Sequence, residues 1–173
     1  MSIDVAISPR IERAWAVLDG VLDPEVPVVS VRDLGIVRDV IEADDGLVVV
    51  VTPTYSGCPA TEVIAKSIVD ALVADGLCPV RVEMRRAPAW TTDWMSEVGR
   101  NKLREYGIAP PGLVSAGVGT PMRFVPRQPP KALACPRCAS TNTERISAFG
   151  ATACKALWRC KACGEPFEHF KPI

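Results

Sequence analysis

Apolar residues in the first part of the chain follow the repeat of a helix in some stretches and that of a strand in others. Ile11, Trp15 and Leu18 are spaced to share one face of a helix. The aliphatic residues 47–51 predict a strand covered on both faces, whereas residues 80–84 alternate apolar and charged side chains as a half-buried strand does. The predicted elements, in order, are a helix from Ser8 to about Gly20, strands over 35–42 and 47–52, a helix from Pro59 to about Gly76, a strand over 80–84 and a helix from about 92 to 106. This order predicts an α/β (α+β) fold with two layers.

The pattern changes at residue 109, where proline becomes frequent and the helical repeat disappears. We therefore expect three segments: an α/β domain over 1–108, a proline-rich, semi-rigid linker over 109–132 and a cysteine-rich module over 133–173. Within the module, residues 144–148 and 152–159 predict a β-hairpin that turns at Phe149 and Gly150.

The composition argues against several classes of protein. Twenty Lys and Arg residues balance twenty Asp and Glu residues, so no overall positive field favours nucleic acid or an anionic membrane. No apolar run approaches the roughly 20 residues that cross a bilayer, and the amino terminus lacks the pattern of a secretory signal. We therefore expect a cytoplasmic protein with no nucleic-acid or membrane partner. In that reducing compartment the seven cysteines favour metal or redox chemistry over disulfides.

Four of the cysteines form two C-x-x-C motifs near the carboxyl end. Cys135 and Cys138 are separated from Cys160 and Cys163 by 21 residues, one more than the usual upper limit for paired zinc-binding motifs. Two sulfurs at this spacing can bind one ion, and four thiolates suit tetrahedral Zn²⁺. We expect structural zinc, which a tail this small needs in order to fold. Rubredoxin-like iron and metal-free thiols remain alternatives.

Cys154 and His169 lie in the same tail but outside these motifs. On an extended strand, Cys154 would stand about 20 Å from Cys160, too far to share an ion with it. It is either a buried small residue or an accessory free thiol. His169, the single histidine, is expected to be a partly exposed tail residue rather than a fifth ligand.

Cys58 joins a buried strand to the longest predicted helix. Pro59 suits the first helical position and places Cys58 at the N-cap, where the helix dipole favours the thiolate. Asp23, Glu25 and Asp33 lie on loops that could converge there. The alternative is that Cys58 only packs and that the acids only cap nearby turns.

Several of these motifs together resemble SufT-type iron–sulfur assembly proteins. They are DPE at 23–25, DLGIV at 33–37, TP at 52–53 and SGCP at 56–59. With AWTTDWM at 89–95 and the terminal C-x-x-C pairs, the whole chain resembles the PaaD family, the D subunits encoded with bacterial phenylacetyl-CoA epoxidase (phenylacetate-CoA oxygenase). The resemblance implies a small two-layer iron–sulfur-assembly-type domain followed by a zinc-ribbon-like module.

The resemblance also implies a role in phenylacetate catabolism. Members are thought to help load iron–sulfur or di-iron centres into the oxygenase or reductase subunits, which would be the partners. Cys58, with Asp23 and Glu25, would be the transient ligand of iron or of a cluster. The four tail cysteines would correspond to the family's zinc-binding ending.

The residues themselves argue that this chain is not the catalytic subunit. A di-iron subunit needs paired Glu-x-x-His motifs, which one histidine cannot supply, and no G-x-G-x-x-G unit of a reductase is present. The alternative to maturation is a scaffolding subunit with structural zinc, in which the ribbon and the Trp90/Trp94 segment bind other subunits. A nucleic-acid-binding ribbon is less favoured, because glutamates dilute the local positive charge.

Overall fold

The computed structural model describes residues 8–55, 57, 59–112 and 133–173. The helices are α1 (Pro9–Leu18), α2 (Ala60–Ala74) and α3 (Glu97–Glu105), with a 3-10 turn at Thr92–Trp94. The strands are β1 (Val37–Ala43), β2 (Gly46–Val51), β3 (Val80–Met84), β4 (Ile108–Ala109), β5 (Thr143–Ser147), β6 (Lys155–Cys160) and β7 (Pro166–Phe170). These elements fall into two compact units, one ending at Gly99 and the other beginning at Arg100.

The amino-terminal unit is built on a sheet with the strand order β1-β2-β3. β2 pairs antiparallel with β1 and parallel with β3, and all six of its residues are buried, as its aliphatic run predicts. α1 begins where the Ser8 hydroxyl accepts a hydrogen bond from the Arg10 amide. α2 buries a stripe at helical spacing, with Ile64, Ile68 and Leu72 at most 3% exposed. The α/β fold class is therefore confirmed.

The predicted helix over 92–106 is interrupted, because residue 96 is held by a distant loop. The Ser96 amide donates to the Asp33 carbonyl at 2.8 Å, and the Ser96 hydroxyl donates to Asp33 Oδ1 at 3.1 Å. Met95 is extended at that point, so the 3-10 turn stops and α3 starts afresh at Glu97. The Trp90 indole N–H also donates to the Leu34 carbonyl, at 3.0 Å.

Trp90 and Trp94 accordingly do not share a helical face. Trp90 is 4% exposed and belongs to the core. Trp94 is half-buried, and the Arg38 guanidinium stacks on its ring at 3.6 Å from the centroid.

The carboxyl-terminal unit is a sheet with the order β4-β7-β6-β5. The β5–β6 hairpin appears where it was expected, but β6 begins at Lys155 because residues 152–154 form part of the turn. β7 then pairs antiparallel with β6 and parallel with the short β4, and neither β4 nor β7 was predicted. The result is a β-ribbon, which confirms the second part of the predicted fold class.

The compact units divide nine residues before the predicted domain end at 108, and β4 pairs within the second unit. Most of the predicted linker, residues 113–132, lies outside the described ranges. The division into 1–108, 109–132 and 133–173 thus stays a prediction. Within the part that the structure covers, none of the helices combines the length and apolar character that crossing a membrane requires.

Candidate metal centre

The four cysteines of the two C-x-x-C motifs converge in the carboxyl-terminal unit. Cys135 and Cys160 are buried at the inner side, whereas Cys138 and Cys163 are exposed. Their sulfur atoms all lie within 4.8 Å of one another. The Sγ–Sγ distance is 3.8 Å between Cys135 and Cys163 and 3.6 Å between Cys138 and Cys160.

These sulfur distances fit four ligands of one ion. A tetrahedral site with metal–sulfur bonds of about 2.3 Å has sulfur–sulfur edges of about 3.8 Å. A disulfide would require the two sulfurs at about 2.05 Å, and these four cysteines are free. The geometry and the donor set therefore suit a structural tetrahedral metal ion, with no ligand position left open for a substrate.

The two knuckles are built on the same backbone pattern. The amide of Ala139 donates to the Cys135 carbonyl at 2.9 Å, and the amide of Gly164 donates to the Cys160 carbonyl at 2.9 Å. The amide of Cys135 donates to the Ser140 carbonyl, and the amide of Cys160 donates to the Glu165 carbonyl. In each knuckle, the residue directly after the second cysteine has a positive φ, which is 59° at Ala139 and 78° at Gly164. Glycine adopts this conformation without steric cost, whereas the alanine accepts about 1–2 kcal/mol of strain in it.

The surroundings of Cys138 and Cys160 shift the pKa values of these two thiols in opposite directions. The Cys163 amide, followed by that of Ala162, stabilises the Cys160 thiolate and lowers the pKa of Cys160 to about 7. For Cys138, the Ser140 amide acts in the lowering direction, but contacts with the Cys160 and Cys163 thiols outweigh it and raise the pKa to about 12. A divalent cation would remove this conflict by supplying charge to all four sulfurs.

Among the residues that the structure describes, the apolar cluster that includes these cysteines is small. Cys135 and Cys160 pack with Ala109, Trp158 and a few other buried residues. The full cluster is Ala109, Cys135, Ala156, Trp158, Cys160 and Phe167, with Leu133 against it. So small a cluster supports the expectation that the ion carries much of the unit's stability.

Cys154 is also buried, but it does not belong to the four-cysteine group. It is 7% exposed and lies in the turn before β6, with its sulfur 3.0 Å from the Thr152 hydroxyl. Among the described residues, the group that could hold a metal contains four cysteines and omits Cys154. Its use as an accessory thiol stays a prediction.

His169 is buried, so the expectation of a partly exposed tail residue is wrong. It lies on β7, flanked by Ala156 of β6 and Ala109 of β4, and is 7% exposed. Its ring meets the Trp158 ring edge to face at 6.1 Å between centroids. Within the described part of the chain, His169 Nε2 and Trp158 Nε1 have no hydrogen-bond partner. The error follows from the missed strand β7.

Burial of His169 predicts an acid-sensitive carboxyl-terminal unit. Desolvation lowers the pKa of His169 from 6.5 to about 4. Below pH 6.5 the imidazole therefore binds a proton in the unfolded chain but stays neutral in the folded unit. As a result, the free energy of unfolding falls as pH drops toward 4. A His169→Phe variant should lack the pH dependence that comes from His169. Its free energy of unfolding should therefore rise relative to that of the wild type as pH is lowered from about 7.5 to about 5. Urea unfolding at both pH values, with bound metal measured in parallel, tests this; a constant difference would contradict it.

The acids that were expected near Cys58 have structural partners. Asp23 is 7% exposed, and its Oδ1 accepts hydrogen bonds from the amides of Glu25 at 2.8 Å and Val26 at 2.7 Å. Asp33, 8% exposed, accepts from the Ser30 amide and the Ser96 hydroxyl. Glu25 is half-buried, and Cys58 lies outside the described residues. The hypothesis that Cys58, Asp23 and Glu25 hold iron thus stays a prediction.

Comparisons with known proteins match both parts of this picture. The family described as "Iron-sulfur cluster assembly protein" matches residues 11–83, and the "PaaD zinc beta ribbon domain" matches residues 120–171. A crystal structure of the domain of unknown function DUF59 from Bacillus anthracis superposes with a TM-score of 0.51 at 27% identity, covering 54% of this chain and 91% of that one.

Two curated relatives extend the comparison. A protein of Porphyromonas gingivalis named "Fe-S protein maturation auxiliary factor" is 37% identical over 44% of this chain and 74% of its own length. An Escherichia coli K12 protein, named as the putative D subunit of 1,2-phenylacetyl-CoA epoxidase, is 48% identical over 95% of this chain and 94% of its own length. With an iron–sulfur-assembly-type domain, a four-cysteine ribbon and this full-length relative, the chain belongs to the PaaD family.

Proposed function

We propose that this chain is an accessory subunit of a phenylacetyl-CoA epoxidase system in phenylacetate catabolism, where it assists metal loading of the oxygenase or reductase subunit. The observation that carries the proposal is the 48% identity to a putative epoxidase D subunit over nearly the full length of both chains. The match of residues 11–83 to iron–sulfur cluster assembly proteins supports maturation as the role. The proposal keeps the expected cytoplasmic location.

In this proposal other subunits carry out the epoxidation. The full sequence contains one histidine, and that side chain is buried on β7 with its ring against Trp158. Paired Glu-x-x-His motifs for a di-iron centre therefore cannot be assembled from this chain alone.

The ribbon would hold zinc through Cys135, Cys138, Cys160 and Cys163. The sulfur–sulfur distances of 3.6 and 3.8 Å suit Zn²⁺. With four thiolate ligands, the ion would supply charge neutralisation and a cross-link between the knuckles. The protein's own contribution is the pair of backbone turns that direct the sulfurs toward one point.

The maturation role places the working thiol at Cys58 rather than in the ribbon. The helix α2 starts at Ala60 with Pro59 at its N-cap, so the prediction that Cys58 is the N-cap is wrong. A cysteine next to that N-cap would still be favoured as a thiolate, the form that binds iron. Asp23 and Glu25 are the proposed carboxylate partners. Metal held there would be cargo in transit to a client subunit.

The test compares two thiols of the amino-terminal unit. The chain, or its Cys58→Ser or Cys78→Ser variant, is co-expressed with the oxygenase and reductase subunits, and iron per client subunit is measured. Cys58→Ser should lower client iron severalfold, while Cys78→Ser, which removes an exposed free thiol, should not. Both variants should keep wild-type circular dichroism and ribbon zinc.

Normal client iron with Cys58→Ser would remove the transfer role. If the subunits also co-purify normally and are fully active, the scaffolding alternative is favoured instead.

A further inference from the structure

The tip of the β5–β6 hairpin exposes an aromatic side chain on a tightly held loop. Phe149 is 65% exposed, more than any other large apolar residue within the described ranges, and Ile146 on the same hairpin is 53% exposed. We propose that this tip is a docking surface that inserts Phe149 into an apolar, carboxylate-rimmed pocket on another protein of the epoxidase system.

The hairpin tip is fixed by bonds that do not involve the exposed side chains. The Glu168 carboxylate accepts from the Ala151 amide at 2.7 Å and pairs with Lys155 Nζ at 2.7 Å, where the Lys155 side chain is 5% exposed. The Gly150 amide donates to the Lys155 carbonyl at 2.8 Å. A Cβ on Gly150 would lie 2.5 Å from Glu168 Oε1, so a larger residue would push that carboxylate away. A partner would therefore meet an already ordered loop, which lowers the entropic cost of binding.

Charge around the tip indicates the chemistry of the partner. Residues 133–173 contain six basic residues and three glutamates. Each glutamate is already engaged: Glu144 with Arg159 and Lys161, Glu165 with Arg137, and Glu168 with Lys155.

Of the two remaining cations, Lys171 lies at the tip, and Arg145 lies four residues before Phe149 in the chain. Arg145 is exposed on β5, and Lys171 places its Nζ 4.6 Å from the centroid of the Phe149 ring and 3.3 Å from the Ala148 carbonyl. Among the residues that the structure describes, neither has a carboxylate partner. Acidic side chains around an apolar pocket would complement this pattern.

The inference rests on the proposed function, since that names the complex in which the partner is sought. Its test is direct binding of the full-length chain to purified oxygenase and reductase subunits that already contain their metals. Phe149→Ala should raise the dissociation constant for one of them roughly 30-fold, as loss of an aromatic anchor does. The matched control is Tyr106→Ala, an aromatic of the same unit that is 58% exposed just before β4, at the other edge of the sheet. Arg145→Glu should weaken binding too, and added salt should reduce the effect of that charge.

Several results would overturn the docking surface. One is that Phe149→Ala binds with wild-type affinity, or loses as much affinity as Tyr106→Ala does. Another is that the wild-type chain binds neither the oxygenase nor the reductase subunit. A third is that Phe149 is needed for binding to DNA or anionic vesicles instead. Unchanged circular dichroism and zinc content show that the variants are folded. Because the client subunits are already loaded, failure here is distinct from failure of the iron-loading test with Cys58→Ser.

Discussion

Replacing Cys160 by serine is expected to abolish metal binding and to unfold the carboxyl-terminal unit. Cys160 is fully buried, and its sulfur lies 3.6 Å from that of Cys138. A serine hydroxyl stays protonated at neutral pH and is a poor ligand for Zn²⁺, so three thiolates would be left around the ion. Structural zinc contributes an apparent 10–16 kcal/mol or so to such modules. The small apolar cluster, which counts Cys135 and Cys160 among its six buried members, cannot replace that contribution.

The amino-terminal unit provides an internal reference for this experiment. Trp158 lies in the carboxyl-terminal unit, whereas Trp15, Trp90 and Trp94 lie in the other. In NMR spectra of Cys160→Ser, the dispersed indole N–H signal of Trp158 should collapse while the other three persist. Elemental analysis should find about one zinc per wild-type chain and none in the variant.

Cys154→Ser is the matched control, because it removes another buried thiol of the same unit from outside the four-sulfur group. It should retain the metal and lose about 1–2 kcal/mol of stability at most. A Cys160→Ser protein that keeps stoichiometric metal, or a wild-type ribbon that stays folded in strong chelator, would show that the ion is not what stabilises this unit.

Local spacing along the chain accounts for most of the amino-terminal unit. The aliphatic run of β2 and the helical stripe of α2 each define their own burial, because the periods of strand and helix are short. The break between the 3-10 turn and α3 was missed, because it depends on Ser96 bonding to Asp33, which lies 63 residues earlier. Nothing in the local pattern around Ser96 reveals that contact.

In the ribbon too, features set by local spacing were predictable and features set by distant contacts were not. The C-x-x-C motifs carry their geometry within four residues, so the metal site could be predicted from spacing. β4 is two residues long and β7 carries Glu168 and His169 at its centre, so neither is identifiable without its pairing partners. The sequence pattern therefore predicts a partly exposed His169 and does not reveal the roles of Ala109 and Phe167 in the packing around the cysteines.

Gly35→Ala is expected to destabilise the amino-terminal unit through backbone strain and a steric clash together. Gly35 has a φ of +67°, and a Cβ there would lie 2.4 Å from the Trp94 carbonyl oxygen and 2.8 Å from the Trp94 carbonyl carbon. Backbone cannot move aside as a side chain can, and this segment is also tied to Asp33 and Leu34 by Ser96 and Trp90. Left-handed strain of about 1–2 kcal/mol therefore adds to a clash of about 1–3 kcal/mol.

Gly76→Ala separates these two contributions. Gly76 has a φ of +78° but nothing within 4 Å of its would-be Cβ, so alanine there meets strain without a clash. Urea unfolding, monitored by tryptophan fluorescence, should show that the free energy of unfolding falls by about 1 kcal/mol in Gly76→Ala and by about 3 kcal/mol or more in Gly35→Ala. Both positions lie in one unit, so the difference measures how closely the loop ending at Gly35 approaches the Trp94 segment. Equal losses would mean that this close approach does not exist in solution, and that the DLG motif does not act by holding the chain around Trp94.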